Sequence, residues 1–311
     1  MNSSAPAPAS HAIVHGVGPI GMVVGSLARA IDFYSDVLGF ELDGRNDDNE
    51  PDNGARLRCA RLRLGDERLV LAEYVQARGR PVPPDSRSND RWFQHIALVV
   101  SDMAEAYDRV RTRVRHVSTR PQRLPDWNPS AAGIEAFYFQ DADGHPLELL
   151  RFPVDRCPPK WRDPTGCLFL GIDHTAIVVA DTERSLRFYC DALGFSIGGA
   201  GENYGIEQEE LSGVRNARVR ITNLRAGPGP GIELLDYHVP RTGRPYPADA
   251  APNDLWHWHT TLFSSDANAA ARALRAGGAR FLSPEAGPAA PGDRVILARD
   301  PDGHALEIIN S

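Results

Sequence analysis

Two histidines and two glutamates in the later part of the chain have the residue types and positions that would suit a bound cation. His174 and His259 lie in strand-like apolar segments, and Glu233 and Glu307 lie in the apolar runs "GIELLDY" and "ALEII". An ionised glutamate inside an apolar strand is costly unless a partner neutralises its charge. One divalent metal would neutralise both carboxylates and take the two imidazoles as further ligands. The quartet therefore predicts a metal centre.

Simpler interpretations exist for each of these residues taken alone. A histidine on a strand is often a hydrogen-bonded core residue, and Glu233 could face water on an amphipathic strand. Recurrence of the same residue types at matching places favours a metal. His257 shares the face of His259 by the strand period of two, and is either a rim residue or an additional ligand.

The elements that must position these residues come from a duplicated chain. The segment "GIDHTAIVVADTERSLRFYCDALGF" aligns with "GVGPIGMVVGSLARAIDFYSDVLGF" without a gap, and the later segments of the two copies also match. A repeat of this length indicates a repeated structural unit. We predict a flexible tail at 1–15, an N-terminal domain at 16–153, a Pro-rich linker at 154–170 and a C-terminal domain at 171–311.

Each copy divides again into two halves with the pattern βαβββ. In the third half, Leu186, Tyr189 and Leu193 form an apolar helical stripe, Asp181 or Thr182 suits the helix start and Gly194 suits its end. The sequence predicts an α+β protein with two tandem domains. Each domain would be a pair of βαβββ modules that form a curved mixed sheet around a cleft.

The motif Asp-x-Asp-Gly-His-x-Leu-Glu occurs once in each copy, as "DADGHPLE" and "DPDGHALE". It is not an EF-hand, because a calcium loop needs a third oxygen ligand before its Gly and a more distant Glu. The Asp-Gly pair before an apolar run predicts a hairpin turn that opens a strand. The strands that follow carry Glu148 and Glu307.

The composition restricts the partners. The 311 residues carry a formal net charge of -7, which argues against nucleic acid as the main partner. No apolar run approaches a membrane span, and the N-terminus does not resemble a signal peptide. The four cysteines have no zinc-site or disulfide pattern. We expect a cytoplasmic protein that binds a small-molecule substrate, and neither nucleic acid nor a membrane.

The chain resembles the vicinal oxygen chelate superfamily, which includes glyoxalase I, the bleomycin resistance proteins and the extradiol dioxygenases. The segments "DHTAIVV", "RFYCDALGF", "GIELLDY", "WHTTLF" and "RDPDGHALEI" carry this resemblance. It implies a divalent metal (Ni, Zn, Mn, Co or Fe) held by His174, Glu233, His259 and Glu307. It also implies that Glu233 or Glu307 acts as the catalytic base.

The N-terminal copy departs from this pattern. Pro19 stands at the position of the first histidine and Val70 at that of the first glutamate, so only His95 and Glu148 remain. This copy is expected to have a degenerate metal site. Tyr138 and Glu148 could contact a substrate there, or serve only in packing.

Members of the superfamily pair their modules in different ways. If the third module pairs with the fourth, the quartet named above forms the centre, and we favour this arrangement because it needs no exchange between copies. If the second pairs with the third, His95, Glu148, His174 and Glu233 form an equally complete centre. Because some members pair modules between subunits, a homodimer is also compatible with the sequence.

Three functions follow from the resemblance. The favoured one is a glyoxalase-like lyase or isomerase acting on a small substrate that chelates the metal through vicinal oxygens. An extradiol Fe(II) dioxygenase is an alternative, using His174, His259 and Glu307. Against it, Leu297 occupies the place of a signature Tyr, and Glu233 would crowd the iron. The third is a drug- or metabolite-binding resistance protein without catalysis.

The sequence does not identify the substrate. Arg80 and Arg244 lie in matching Pro-rich connectors, where each would either hold a substrate carboxylate or be solvated. Tyr204 is a further candidate for the mouth of the cleft.

Overall fold

The computed structural model of the protein describes residues 12–49, 56–162, 166–282 and 295–311. Most of the predicted N-terminal tail lies outside these ranges, and the domain boundaries stay a prediction.

Four modules follow one another along the chain, each with an opening strand, a helix and further strands. The first module contains β1 (Val14–Val23), α1 (Leu27–Asp32) with a π-helical turn (Phe33–Val37), β2 (Glu41–Asn49), β3 (Leu57–Leu64) and β4 (Glu67–Tyr74). The second contains β5 (Gln94–Val100), α2 (Met103–Val110), β6 (Arg115–His116), β7 (Gln122–Arg123), β8 (Glu135–Gln140) and β9 (Pro146–Arg151).

Two short 3-10 turns, Val154–Arg156 and Pro159–Trp161, lie in the predicted linker. The third module contains β10 (Phe169–Val178), α3 (Thr182–Leu186) with a π-helical turn (Arg187–Ala192), β11 (Ser196–Tyr204), α4 (Ile206–Ser212), β12 (Arg218–Arg225) and β13 (Gly231–Val239). The fourth contains β14 (Trp258–Ser264), α5 (Ala267–Ala276), β15 (Arg280–Phe281), β16 (Val295–Arg299) and β17 (Ala305–Asn310).

The helical pattern predicted in the third module is confirmed. The Asp181 side chain caps α3 by accepting a hydrogen bond from the Arg184 backbone N–H. Tyr189 and Leu193 are fully buried, as expected for the apolar stripe. Gly194 ends the segment with a φ of +90°, a conformation that favours glycine.

The predicted α+β class with two mixed sheets is confirmed, but the favoured pairing of modules is wrong. One sheet has the order β15-β16-β17-β14-β1-β4-β3-β2, and the other has the order β11-β12-β13-β10-β5-β9-β8-β6. The first module therefore pairs with the fourth, and the second pairs with the third. The joins are antiparallel, through β1 with β14 and through β5 with β10. Each cleft consequently contains strands from both sequence copies.

Two hydrophobic cores, in contrast, mainly follow the sequence copies, while a third, with Phe93 and Val178 among its members, joins the second module to the third. One core combines apolar residues of the first two modules, such as Leu62 and Phe137. Another is built mainly from the last two modules, with Phe188 and Leu306 among its members. Packing thus ties modules 1 and 2 together, and modules 3 and 4 together, while backbone pairing ties the two copies to each other. Burial of apolar area is the main stabilising term in such a fold.

A reciprocal pair of ion pairs also joins the two copies. The Arg80 guanidinium donates to both carboxylate oxygens of Asp254, at 3.1 and 2.7 Å. The Arg244 guanidinium donates to both carboxylate oxygens of Asp90, at 3.0 and 2.7 Å. Both arginines therefore bind carboxylates of the chain itself. Bidentate geometry makes these strong, oriented contacts between the two connectors.

The repeated Asp-x-Asp-Gly-His motif forms the predicted turn between two antiparallel strands. Asp141 accepts hydrogen bonds from the His145 backbone N–H and from the Tyr34 hydroxyl. Asp300 accepts the matching bond from the Tyr189 hydroxyl at 3.0 Å. The first Asp of each motif therefore fixes the turn and links it to the helical segment of the preceding module.

None of the helices in the described parts of the chain is long and apolar enough to cross a membrane.

Candidate metal centre

Four ionisable side chains from four neighbouring strands meet on one face of the second sheet. His95 comes from β5, Glu148 from β9, His174 from β10 and Glu233 from β13. Alternate residues of a strand point to opposite faces, and the neighbouring residues Ile96, Leu147, Leu149, Ile232 and Leu234 belong to the apolar cores instead. Glu148, His174 and Glu233 lie at one side of a cavity of about 410 Å³.

The ligand atoms of His95, Glu148 and His174 are close enough to share one cation, and Glu233 lies beside His174. Nε2 of His95 lies 3.1 Å from Oε2 of Glu148, and Nε2 of His174 lies 3.6 Å from the same oxygen. Oε2 of Glu233 lies 3.5 Å from Nε2 of His174. Ligands about 2.1 Å from one metal and at right angles to each other lie about 3.0 Å apart. The observed separations are slightly larger than this value.

A bound cation would satisfy an unpaired atom of the site. His95, Glu148 and His174 are buried, and they form a group whose ligand atoms all lie within 4.8 Å of one another. Nε2 of His174 is buried and has no hydrogen-bond partner. Buried polar atoms are rarely left unpaired. The residues present therefore fit a divalent metal with nitrogen and carboxylate ligands.

The electrostatics of the four residues also favour a cation. Burial lowers the pKa of His174, but Glu233, Asp173 and Glu148 outweigh burial and raise it well above its usual value. Burial raises the pKa of Glu148, but the neighbouring imidazoles of His174 and His95 lower it below its usual value. Burial raises the pKa of Glu233, and this effect prevails. A metal bound by these imidazoles would displace a proton from them, as metal binding to imidazoles generally does.

The structure does not bring the quartet His174, Glu233, His259 and Glu307 together. His174 and Glu233 belong to the centre described above, whereas His259 and Glu307 lie in the other sheet. The expected convergence was wrong because the third and fourth modules share a core rather than a sheet. The ligand roles of His174 and Glu233 stay a prediction. The arrangement observed is the exchanged one, with His95 and Glu148 as the other two residues.

The cleft of the other sheet has only half of such a centre. Nε2 of His259 lies 3.9 Å from Oε2 of Glu307, and the Thr261 hydroxyl donates to that oxygen. Pro19 and Val70 occupy the places that correspond to the missing ligands. The degenerate site was predicted within the N-terminal copy, whereas the first and fourth modules share this incomplete cleft.

His257 lies near His259, with their ring centroids 6.2 Å apart. Burial, together with the charges of His259 and Arg299, lowers the pKa of His257 to about 3. A neutral imidazole is therefore expected at neutral pH.

Tyr204 lies outside the cavity lining and packs against Trp127, with ring centroids 4.3 Å apart.

Tyr138 lines the cavity beside the candidate ligands. Its ring centroid lies 4.8 Å from that of His95, and it pairs across the strands with Glu148. Burial and the charge of Glu148 raise the pKa of its phenol well above the usual value. Tyr138 is therefore a neutral phenol next to the candidate metal centre.

Sequence reasoning missed the residues that surround His174. Asp173 lies 2.9 Å from Nδ1 of His174, and it binds Arg225 and the indole of Trp161. One sequence signal was available, because Asp173 is another acidic residue within a buried strand. No sequence signal connected Trp161, which lies in the linker, with the site.

The chain belongs to the glyoxalase/bleomycin resistance protein/dioxygenase superfamily, whose family model matches residues 16–149 and 171–308. The pairing of the second module with the third, and the buried His-Glu-His group, thus occur in a member of this superfamily.

Two curated relatives are enzymes. A 2-epi-5-epi-valiolone epimerase from an Actinomyces species is 31% identical over 154 residues, which cover 45% of this chain and 79% of the relative. A lactoylglutathione lyase from Arabidopsis thaliana is 25% identical over 174 residues, covering 56% of this chain and 53% of the lyase. The match thus spans about half of the lyase.

Solved structures share the fold over nearly the whole chain. Glyoxalase I from Zea mays is 18% identical, with a TM-score of 0.63, over 95% of this chain and 92% of that protein. A putative dioxygenase from Bacillus subtilis is 16% identical, with a TM-score of 0.60, over 96% of this chain and 86% of that protein. At these identities the likeness concerns the fold alone.

Proposed function

We propose that the protein is a divalent-metal-dependent lyase or isomerase that moves a proton at a carbon next to a carbonyl group. Its substrate would be a small molecule that chelates the metal through two neighbouring oxygens. The observation that carries this proposal is the convergence of His95, Glu148, His174 and Glu233 beside a cavity of about 410 Å³.

His95, His174 and Glu148 would hold the metal, with Glu233 beside them. The metal, when bound, supplies a Lewis acid that polarises a carbonyl oxygen and makes the neighbouring C–H more acidic. The two histidines and Glu148 are all buried, so the strands hold them in fixed positions. Such preorganisation is what electrostatic catalysis requires.

Glu233 is the better candidate for the general base. Glu148 accepts a hydrogen bond from His95, whereas the Glu233 carboxylate has its closest ionic contact to Nε2 of His174 at 3.5 Å. The Glu233 side chain is also more exposed to the cavity, at 15% against 7%. Burial raises the pKa of Glu233 above its usual value, which suits a group that takes and returns a proton.

The epimerase and the lyase among the relatives support this class of reaction. The names of these two enzymes describe an epimerisation and a lyase reaction. Both relatives cover only part of this chain, so the particular substrate is not carried over from them.

An extradiol-type dioxygenase is the second candidate, because of Tyr138. In the extradiol dioxygenases that the chain resembles, a signature Tyr lies three residues before the first Asp of the turn. Leu297 fills that place in the C-terminal copy, but Tyr138 fills it in β8, beside the candidate centre. Glu233 remains the argument against this candidate, since a second carboxylate would occupy a position needed by dioxygen.

A test combines metal analysis with hydrogen exchange. Purified protein, supplemented with Ni²⁺, Zn²⁺, Mn²⁺, Co²⁺ or Fe²⁺, is analysed for bound metal. It is then incubated in D₂O with the hemithioacetal of methylglyoxal, or with an uncharged hydroxyketone. Deuterium at the carbon next to the carbonyl, detected by NMR, is the expected result.

The matched variants are His95→Ala and His259→Ala. His95→Ala should lose both the bound metal and the deuterium exchange. His259→Ala should keep both, because His259 lies in the other sheet. Oxygen uptake with a catechol, without deuterium exchange, would favour the dioxygenase. A protein that binds no metal after supplementation would leave the binding protein as the better explanation.

A further inference from the structure

The charges that line the cavity restrict the substrate, and this inference rests on the proposed function. Among the described residues of the lining, the carboxylates are those of Glu148, Asp173 and Glu233, and the guanidinium is that of Arg225. A divalent metal would bring the formal charge of this lining to zero. An anionic substrate would thus find no net attraction in the cavity.

The one guanidinium in the described lining is already paired. Nη2 of Arg225 lies 3.1 and 3.0 Å from the two carboxylate oxygens of Asp173, and Nη1 donates to the Asp173 carbonyl at 3.0 Å. A substrate carboxylate or phosphate would have to compete with this buried partner. Arg225 is therefore unsuited to binding an anionic group of a substrate.

Neutral polar groups face the cavity instead. Asn223 lies directly across the strands from Glu233, and both line the cavity. A second polar part of the lining contains Ser130 and Asn203, which hydrogen-bond to Asn128 behind them at 2.7 and 2.6 Å. Amides and hydroxyls both donate and accept hydrogen bonds, as the hydroxyl groups of a polyol do.

We propose that the cavity takes an uncharged, polyhydroxylated carbonyl compound, with Asn223 binding a hydroxyl group near the reacting carbon. The cavity volume of about 410 Å³ lies within the range of about 300–1,000 Å³ that is usual for pockets that bind small molecules.

The experiment uses Co²⁺-loaded protein and compares a neutral ketone with its phosphorylated form. Binding is followed through the visible absorption of the cobalt. The pair is dihydroxyacetone and dihydroxyacetone phosphate, with an inosose, a ring ketone with five hydroxyl groups, as the larger neutral probe. We expect dihydroxyacetone and the inosose each to bind about tenfold more tightly than dihydroxyacetone phosphate.

The matched variants are Asn223→Leu and Asn223→Lys. Asn223→Leu should weaken inosose binding about tenfold, and Asn223→Lys should favour the phosphate. Tighter binding of the phosphate to the wild type would overturn the proposal, as would an unaltered inosose affinity in Asn223→Leu. Failure of the wild type to bind Co²⁺ would instead contradict the metal centre itself.

The surroundings of His174 carry a second, independent inference. Asp173 lies at an irregularity in the pairing of β10 with β5, between Ile172 and His174. Its carboxylate lies 2.9 Å from Nδ1 of His174. An ionised carboxylate only accepts hydrogen bonds, so Nδ1 carries a proton and Nε2 is the ring nitrogen left to bind a metal.

Two further side chains hold the Asp173 carboxylate in place. Nε1 of Trp161 donates to it at 3.1 Å, and Arg225 binds both of its oxygens. Trp161 is buried although it lies in the predicted linker. The linker therefore contributes a structural contact to the site. In the other sheet, Gly18 stands at the place of Asp173, so this support is absent there.

We infer that Asp173 is a positioning residue that sets the tautomer and orientation of His174 for metal binding, and that Trp161 and Arg225 fix Asp173. Partners of this kind typically change metal affinity by about 10–100-fold. The inference rests on the metal centre of the proposed function.

The test compares Asp173→Asn with Asp254→Asn. Asp254 is also a buried aspartate with a bidentate arginine, Arg80, but it lies in a connector. Both variants should lower the thermal stability. Only Asp173→Asn should weaken Co²⁺ binding, by about 10–100-fold, and alter the cobalt absorption spectrum. Trp161→Phe, which removes one donor, should show the same changes to a smaller extent.

Two outcomes would overturn the inference. One is a Co²⁺ affinity and spectrum of Asp173→Asn equal to those of the wild type. The other is an equal loss of Co²⁺ affinity in Asp254→Asn, which would show a general effect of stability. If Asp173→Asn does not fold, Trp161→Phe decides by the same two measurements. If the wild type binds no Co²⁺, the proposed function fails together with this inference.

Discussion

Nε2 of His174 lies 3.6 Å from Oε2 of Glu148, although the two residues belong to different copies of the repeat. This contact exists because β10 of the third module pairs with β5 of the second, and β5 pairs with β9. Neither copy contains the candidate centre by itself. Chemistry at this site consequently depends on the association of the two copies.

Replacement of Glu233 by glutamine should have a different effect from replacement of Glu148 by glutamine. Glu233→Gln removes the proposed base and should slow deuterium exchange by about 10²–10⁴-fold while the metal stays bound. Glu148→Gln removes a buried ligand that both histidines approach, and should chiefly reduce metal content. Exchange rates by NMR and metal content by elemental analysis distinguish the two. Full activity of Glu233→Gln would exclude it as the base.

The second cleft offers a gain-of-function test. His259 and Glu307 are present there, and Pro19 and Val70 stand where the other two ligands would be. Val70 pairs with Gly21 as Glu233 pairs with Ala176, so the strand registers correspond. The double substitution Pro19→His and Val70→Glu should therefore raise the metal content from one to two per chain.

The second metal should bind more weakly, because Gly18 cannot support the new histidine as Asp173 supports His174. Titration with Co²⁺ followed by elemental analysis provides the measurement. A second site as tight as the first would contradict the role assigned to Asp173.

The reciprocal ion pairs should stabilise the association of the two copies. Asp254→Ala leaves the Arg80 guanidinium without its bidentate partner, and should lower Tm by about 3 °C. Asp249→Ala is the control, since its side chain is 77% exposed and contacts the same arginine. Its Tm should change little, because exposed ion pairs contribute little. Equal shifts in Tm for both variants would contradict this view.

The buried pair of Asp141 and His145 should make stability depend on pH. Burial lowers the pKa of His145, but Asp141 outweighs burial and raises it above its usual value. Burial raises the pKa of Asp141, but His145 and backbone hydrogen bonds lower it below its usual value. The histidine contributes stability below a pH of about 6.5, and this is lost as pH rises through its folded pKa.

The aspartate contributes stability above a pH of about 3.9, and this is lost as pH falls through its lowered folded pKa. The difference in unfolding free energy between the wild type and Asp141→Asn should therefore be largest between these two values. Denaturant unfolding at a series of pH values measures it. A difference that continues to grow above neutral pH would contradict the assignment.

Local patterns in the sequence determined much of this protein. The helical stripe of Tyr189 and Leu193, the turn after Asp141 and the four βαβββ modules each depend on residues close together in the chain. The residue types of a metal centre were also visible, because a carboxylate in a buried strand needs a partner wherever the strand lies.

Only the tertiary structure decided which strands share a cleft. Glu148 and Glu307 have the same local sequence, and nothing near them specifies which histidine each will meet. That choice depends on sheet pairing between distant modules, on cores shared within each copy and on contacts such as those of Arg80 with Asp254. These contacts join residues far apart in the chain, and a repeated sequence offers nearly equivalent partners for each strand.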